Sequence, residues 1–305
     1  MKSIIRIGTR SSPLALWQAN ETVRLLRNAG YDSTIIPIRT SGDRQLDVPL
    51  AAIGGKGLFI KELEEALDRN EIDIAVHSLK DVPSIIPDRF TLAGFLTRED
   101  PRDAWLNADG LTIDALPRGA VIATSAPRRR AQLFAHYPHL LIAPIRGNVD
   151  TRIAKMRERL YDGIILAGAG LRRLGRADVI VRYFDVDDMV PAAGQGIIGI
   201  ETLQTNTLGI EAANAISDRR SAVAAQCERG VLQQFGQRLD CNSCVAVHAT
   251  EHEGEIKIRA FLSDFDGANA LRITRKGHDA NVLIQSVAEE LIGLGAIELL
   301  EAAAK

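Results

Sequence analysis

Twice within its first 170 residues the chain alternates short apolar, β-branched runs with amphipathic stretches, and that alternation restricts it to α/β architecture. Ile4–Gly8 reads as a strand, and Ser12-Pro13 opens a helix with an N-cap serine and a first-turn proline, closed near Gly30. Ser33–Arg39 reads as a second strand. Leu58–Asn70 follows as an amphipathic helix with Phe59, Ile60, Leu63, Ala66 and Leu67 on one side, and Ile72–Val76 as the next strand. This βαβαβ unit predicts a mostly parallel sheet with right-handed crossovers. The pattern restarts with Gly119–Ala123 (strand), Pro127–Tyr137 (helix), Leu140–Ile145 (strand), Val149–Tyr161 (helix) and Gly163–Ala167 (strand).

The remaining segments complete a three-domain expectation. Arg98-Glu99-Asp100-Pro101-Arg102 joins the two α/β units, and after Pro191-Ala192-Ala193-Gly194-Gln195-Gly196 the apolar Ile197–Ile200 is expected to return as a strand of the first sheet. From Asp218 a helix, strand-like runs at Val245–Thr250, Ile256–Leu262 and Ala270–Lys276, and a final helix Ala280–Ala303 read as a small α+β unit. The expected division is residues 1–97 with 197–216, residues 101–192, and residues 218–305. The fold class is therefore α/β: two doubly wound α/β domains of periplasmic-binding-protein-like type with a hinge, plus a small α+β C-terminal domain. A length of 305 residues with 46% hydrophobic and 25% charged residues suits two or three soluble globular domains.

Charge is distributed unevenly. Between Val121 and Arg182 twelve Lys or Arg stand against four Asp or Glu, although the whole chain has a formal charge of -2. These cations come with few aromatics and sit at strand ends rather than along one helix face. That pattern disfavours a nucleic-acid surface and favours a pocket for a small polyanion. Thr9-Arg10-Ser11-Ser12, Ala123–Arg130, Ile145–Arg152 and Ala169–Arg173 each carry a strand into small or hydroxyl residues and then a helix start, where free N–H groups favour anions and arginine adds a bidentate fork. Gly54-Gly55-Lys56-Gly57, after the polar stretch Ser41–Asp47, reads as a lid bringing Lys56 and Phe59 over the cleft.

Against these cations stands one acidic candidate. Ile72–Val76 runs into His77-Ser78-Leu79-Lys80-Asp81-Val82-Pro83, so Lys80 and Asp81 fall at a strand's carboxyl end, where open α/β sheets bind ligands. Asp81 is the candidate acid or base; an Asp before Val-Pro also reads as a turn former that caps its own backbone. Cys227, Cys241 and Cys244 are an odd number confined to one region, which argues against a disulfide framework. Cys241 and Cys244 make a CxxC pair, but without a second such pair or a His pair at ligand spacing no metal is expected. No signal segment or bilayer-length apolar run is visible, and a cytoplasmic location is expected.

Six of these segments together resemble the porphobilinogen deaminase (hydroxymethylbilane synthase) family. They are Thr9–Ala19, Gly54–Phe59, His77–Pro83, Arg98–Asp103, Arg146-Gly147-Asn148-Val149 and Pro191–Gly196. The resemblance runs from about Arg6 to Glu201 and more loosely beyond. It implies a three-domain, monomeric transferase of haem and tetrapyrrole synthesis. Such an enzyme joins four porphobilinogen molecules head to tail on a covalently bound dipyrromethane primer, releasing ammonia and hydroxymethylbilane. The dipyrromethane cofactor is implied to hang by a thioether from Cys241, with Cys244 where the family usually has proline. Asp81 is implied to be catalytic, accepting pyrrole N–H bonds and offsetting an azafulvenium cation. Lys80, Asp81, Thr124, Ser125, Arg128, Arg129 and Arg146 are implied to bind the cofactor, and Arg10, Lys56, Phe59, Arg152, Arg173 and Gln195 the substrate chain. Ala126 and Pro127 stand where the family usually has serine and leucine. A rival class, a non-enzymatic solute-binding or ligand-sensing module that closes on an anion, accounts for the arginines but not for Asp81 or the cysteine-bearing third domain.

Overall fold

The computed structural model describes residues 4–39, 60–239 and 242–303. In the first unit, β1 (Ile5–Arg10), α1 (Pro13–Asn28), β2 (Ser33–Ile38), α2 (Lys61–Asp68), β3 (Ile74–Ser78) and β4 (Phe90–Phe95) follow one another. Ser12 caps α1 by accepting from the Ala15 N–H, and Pro13 occupies its first turn. Ile5, Ile7, Ile74 and Val76 pack against Ala19 and Leu26 of α1 on one face of the sheet. Ala75 turns to Leu63, Ala66 and Leu67 of α2 on the other. Helices on both faces explain why Ile74, Ala75 and Val76 of β3 are apolar and buried in succession instead of alternating.

The second unit contains β5 (Asp103–Leu106), β6 (Val121–Ala123), α3 (Pro127–His136), β7 (Leu141–Ala143), α4 (Val149–Arg157), β8 (Gly163–Ala167), α5 (Gly168–Arg173) and β9 (Arg182–Tyr183). The chain then returns as β10 (Ile198–Leu203) and α6 (Thr207–Ala215). The two five-stranded sheets have the orders β2-β1-β3-β10-β4 and β7-β6-β8-β5-β9. Each has a parallel half, but β10 runs antiparallel between β3 and β4, and β5 antiparallel between β8 and β9. Four of the five strands in each sheet therefore run in the same direction, as a mostly parallel sheet requires, with one reversed strand inserted in each. The chain leaves the first sheet and re-enters it through two crossing segments, and each sheet absorbs one strand of that exchange. Gly163 shows how tightly the second core closes: a Cβ there would lie 2.0 Å from the Trp105 ring.

A third, antiparallel sheet is built from β11 (Cys244–His252), β12 (Glu255–Ser263) and β13 (Leu271–Gly277). It is covered by α7 (Arg219–Phe235), α8 (Ala280–Gly293) and α9 (Ala296–Ala303). The C-terminal helix expected from the sequence is two helices. Gly295 adopts φ +95°, a left-handed conformation that ends one helix and lets the next begin.

The crossing segments run side by side, with the Leu96 N–H donating to the Ile198 carbonyl and the Glu99 N–H to that of Gly196. Glu228 of α7, fully buried, ties them to the third unit. It accepts from the Gly194 N–H at 2.6 Å, the Ala249 N–H at 2.7 Å and Arg98 Nη1 at 2.5 Å, and His248 lies 3.4 Å away. Burial alone would push the Glu228 carboxyl up, but Arg98 and His248 outweigh it and hold the group below the usual range. Exposed pairs such as Arg159–Asp109 are screened by solvent and contribute little, whereas removing one partner of a buried pair costs about 3–5 kcal/mol. Urea denaturation should accordingly show Glu228→Ala losing several-fold more stability than Asp109→Ala. Equal midpoints for the two variants would contradict the placement of this junction.

Candidate active site

The first wall of the cleft is the carboxyl end of β3. There the chain makes a 3₁₀ turn, Leu79–Asp81, with the Val82 N–H bonded back to the Leu79 carbonyl. Leu79 and Val82 are buried, while Lys80 and Asp81 between them are exposed to solvent. A single turn with apolar flanks inside and ionic residues outside presents Lys80 and Asp81 together. Ser78, just before the turn, is fixed by a 2.7 Å bond from Gln18 of α1.

Facing this turn, the second unit contributes arginines. A recess with a cavity volume of about 100 Å³ is lined by Leu14, Ser78, Lys80, Gln195, Arg129, Arg152 and Arg173, among others. Lys80 is open to solvent yet sits in a concave wall dense with protein. Desolvation lowers its amine to about 8; Asp81 opposes the shift, and Arg129 and Arg128 add to it. Arg152 falls to about 10 through burial and the charges of Arg129 and Arg146, while Asp81 pulls the other way. Arg173 falls to about 10 by burial; it donates to the Gly196 carbonyl at 2.6 Å and lies over the Trp17 ring at 5.6 Å. All three stay cationic at neutral pH. Asp81 is thus a carboxylate whose charge is felt by Lys80 on its own wall and Arg152 on the opposite one.

Arg128 and Arg129, at the start of α3, are buried and turned to a residue whose role the sequence alone does not show. Asp103, fully buried at the start of β5, accepts from Arg128 Nη1 at 2.6 Å and from Arg129 Nη2 at 2.7 Å. Burial opposes the charged form, but the two guanidiniums hold the Asp103 carboxyl far below the usual range. Gln195 completes the cluster. Its amide nitrogen donates to Asp103 at 2.9 Å, and its oxygen accepts from Arg128 at 3.1 Å and Lys80 at 3.5 Å. Gln195 therefore bridges the two walls. Asp103 closes the quoted run Arg98–Asp103 and opens the buried strand Ala104-Trp105-Leu106; an acid leading an apolar run was the available signal.

The other expected residues are placed as follows. Ser125 donates to the Ile145 carbonyl at 2.7 Å and accepts from its N–H at 2.9 Å, pinning the segment that leads into Arg146. Thr124 is buried, and its hydroxyl accepts from the Ala126 N–H. Arg152 Nε donates to the Gly147 carbonyl at 2.8 Å. Arg10 ends β1, and Arg146 is half-buried before α4. Lys56, Phe59, the Gly54–Gly57 run and Cys241 lie outside the described residues. Cys227 is fully buried, and burial pushes its thiol up to about 12, which makes it packing, not chemistry. Among the described residues no cluster of three His, Cys, Asp or Glu is placed to hold a metal.

Relatives of known kind share this chain's sequence. A family model described as porphobilinogen deaminase, dipyromethane cofactor binding domain, matches residues 5–210. The porphobilinogen deaminase of Acidithiobacillus ferrooxidans is 44% identical over 304 residues, covering 99% of this chain and 98% of the relative. That of Syntrophotalea carbinolica is 43% identical, covering 98% and 96%. A periplasmic substrate-binding protein of an ABC transporter from Coxiella burnetii aligns at a TM-score of 0.44 with 12% identity, over 74% of this chain and 97% of that one, too loosely to carry weight. With a family match over two thirds of its length and relatives above 40% identity from end to end, the chain belongs to the porphobilinogen deaminase family.

Proposed function

We propose that the protein is a hydroxymethylbilane synthase, a transferase that joins four porphobilinogen molecules head to tail and releases ammonia and hydroxymethylbilane. The observation that carries this reading is an exposed carboxylate, Asp81, next to Lys80 at the edge of a recess into which Lys80, Arg129, Arg152 and Arg173 bring four cations. Each porphobilinogen brings an acetate and a propionate, and Lys80, Arg129, Arg152 and Arg173 are donors of the matching charge. The same donor set suits the four carboxylates of a dipyrromethane. Lys80, Asp81, Arg129 and Arg146 would hold it, with Cys241 as its thioether anchor. When bound, the group supplies the free pyrrole α-carbon from which the chain grows. The recess of about 100 Å³ is smaller than the roughly 300–1,000 Å³ of typical ligand sites, so a polypyrrole extends into the open cleft as well.

The work of the protein's own residues follows from charge. Loss of ammonia leaves the incoming pyrrole cationic, and the Asp81 carboxylate accepts its N–H and offsets that charge at the moment it develops. The same oxygens take up and return a proton. Lys80, Arg152 and Arg173 orient the ring by its carboxylates, converting an encounter into a fixed geometry. Arg128, whose Nη1 and Nη2 are engaged by Asp103, Val190 and Gln195, acts by holding Arg129 and Gln195 in place. The protein works as a monomer in the cytoplasm, and among the described residues no helix is long and apolar enough to cross a membrane.

The direct test is intact mass together with turnover. Protein exposed to porphobilinogen should carry covalent pyrroles and release ammonia and hydroxymethylbilane; an unmodified mass with no ammonia would leave only an anion-binding module. Asp81→Asn is nearly isosteric yet loses the charge. Its kcat should fall on the order of a hundredfold or more with an unchanged melting temperature, while Asp81→Glu retains more activity. A turn-capping Asp predicts instead that Asn substitutes freely. Lys80 gives a pH signature. Its amine is charged below about 8 and neutral above, so affinity for porphobilinogen should weaken as pH rises through 8. Lys80→Met should bind weakly at every pH and lose that inflection, as titration calorimetry from pH 6.5 to 9.5 would show.

A further inference from the structure

We propose that Arg229, on the third unit, positions the catalytic turn: its guanidinium holds the carbonyls that follow Asp81 and thereby fixes where the Asp81 carboxylate stands. This rests on the reading of Asp81 as the catalytic carboxylate.

Arg229 lies on α7 and is buried. Its Nη1 donates to the Val82 carbonyl at 3.2 Å, and its Nη2 to those of Pro83 at 2.7 Å and Ser84 at 3.1 Å. One turn further along α7, Gln233 donates to the same Ser84 carbonyl at 2.8 Å. Among the described residues these three carbonyls receive no backbone N–H, and Pro83 has none to give. The path of the chain immediately after Asp81 is therefore set by side chains of the third unit. Packing repeats the message. Leu79 and Val82, which flank Lys80 and Asp81, are buried in the cluster formed by Val231, Phe235, Val247 and Ile258 of the third unit. The turn belongs to the first unit by sequence and is held by the third on both its polar and its apolar side.

Three carbonyls arranged around one group suit a planar fork with five donors, and a lysine there would offer a compact point charge that cannot span them. Burial lowers Arg229 to about 10, which leaves it protonated at neutral pH. A shift of about 1 Å in a reacting group costs up to about a hundredfold in rate, so a small relaxation of the turn would register in kcat well before it registered in folding.

Arg229→Lys and Arg229→Met, each alone and combined with Asp81→Asn, test this in the cofactor-loaded enzyme, with kcat, KM and thermal melts measured together. The expected result is a kcat lower by about 10–100-fold with KM changed by less than about threefold. In the Asp81→Asn background the same substitutions should cost little more, because nothing remains to be positioned. Added guanidinium should restore part of the kcat of Arg229→Met. A folded Arg229→Lys with wild-type kcat, or a loss that adds in full to that of Asp81→Asn, overturns the proposal. An Asp81→Asn that turns over normally overturns the parent reading and this one with it, whereas a defective Asp81→Asn beside a normal Arg229→Lys overturns this one alone. Should both Arg229 variants fail to fold, Gln233→Ala removes a single exposed donor to Ser84. A several-fold lower kcat at an unchanged melting temperature then supports the clamp, and an unchanged kcat overturns it.

Discussion

A cleft that gathers Lys80, Arg129, Arg152 and Arg173 has to stay folded when no anion occupies it, and the buried carboxylate of Asp103 makes that possible. Two unit charges about 4 Å apart repel by about 4 kcal/mol at an effective dielectric near 20, so unscreened arginines on one wall and Lys80 on the other would drive the walls apart. Asp103 accepts from both Arg128 and Arg129. The others are held by backbone oxygens, Arg152 by Gly147 and Arg173 by Gly196. Each guanidinium has five donors, so these anchors leave some for a ligand while fixing where they point. Among the described residues the hydrogen-bond partner of Lys80 is the distant Gln195 oxygen, at 3.5 Å, and desolvation and the neighbouring arginines bring its amine down to about 8.

The third unit decides how far those walls are free to separate. Its joint to the first wall includes Leu79, Val82 and Ile197 inside its own main core, together with the buried Arg98–Glu228 pair. Its joint to the second wall is a five-residue apolar patch of Ala131, Val190, Cys244, Ala246 and Phe261, edged by Arg130 with Asp266 and Arg259 with Asp187. Apolar burial is worth about 25 cal/mol per Å², and surface ion pairs add little. The larger core therefore binds the third unit to the Asp81 turn more firmly than to the arginine wall. A cleft that widens for a longer ligand strains the second joint first.

Much of this was legible in the sequence because it is written in local patterns. The capped start of α1, the apolar run that opens β3 and the strand-to-helix junctions carrying arginine depend on neighbours a few residues away. What escaped depends on partners distant along the chain. Asp103 carries no visible role until Arg128 and Arg129, some 25 residues on, and Gln195, 92 residues on, close around it. The antiparallel insertion of β10 and β5 is a property of the crossing segments as a pair, and no single run encodes strand direction. The break between α8 and α9 did have a local sign, Gly295, but an isolated glycine within a helical pattern is often tolerated. Arg229 looks like a solvated residue of an amphipathic helix, and only the carbonyls of Val82, Pro83 and Ser84 give it a role.

The choice between an enzyme and a passive anion binder turns on Asp81. A protein that only closes on a polycarboxylate gains from every cation in its cleft and loses from an exposed carboxylate beside them. At an effective dielectric of 20, a ligand carboxylate about 6 Å from Asp81 would be destabilised by nearly 3 kcal/mol, roughly a hundredfold in affinity. Lys80 and Arg152 offset part of that penalty, and both are drawn toward the charged form by the same group. The penalty is useful only if something positive forms next to Asp81 during turnover, because an interaction absent from the bound ground state and present in the transition state lowers the barrier by its full strength. Ammonia loss from an aminomethylpyrrole creates such a charge. On the function proposed above, the cations would hold the substrate by the edges that do not react, and the exposed Asp81 carboxylate would face the part that does.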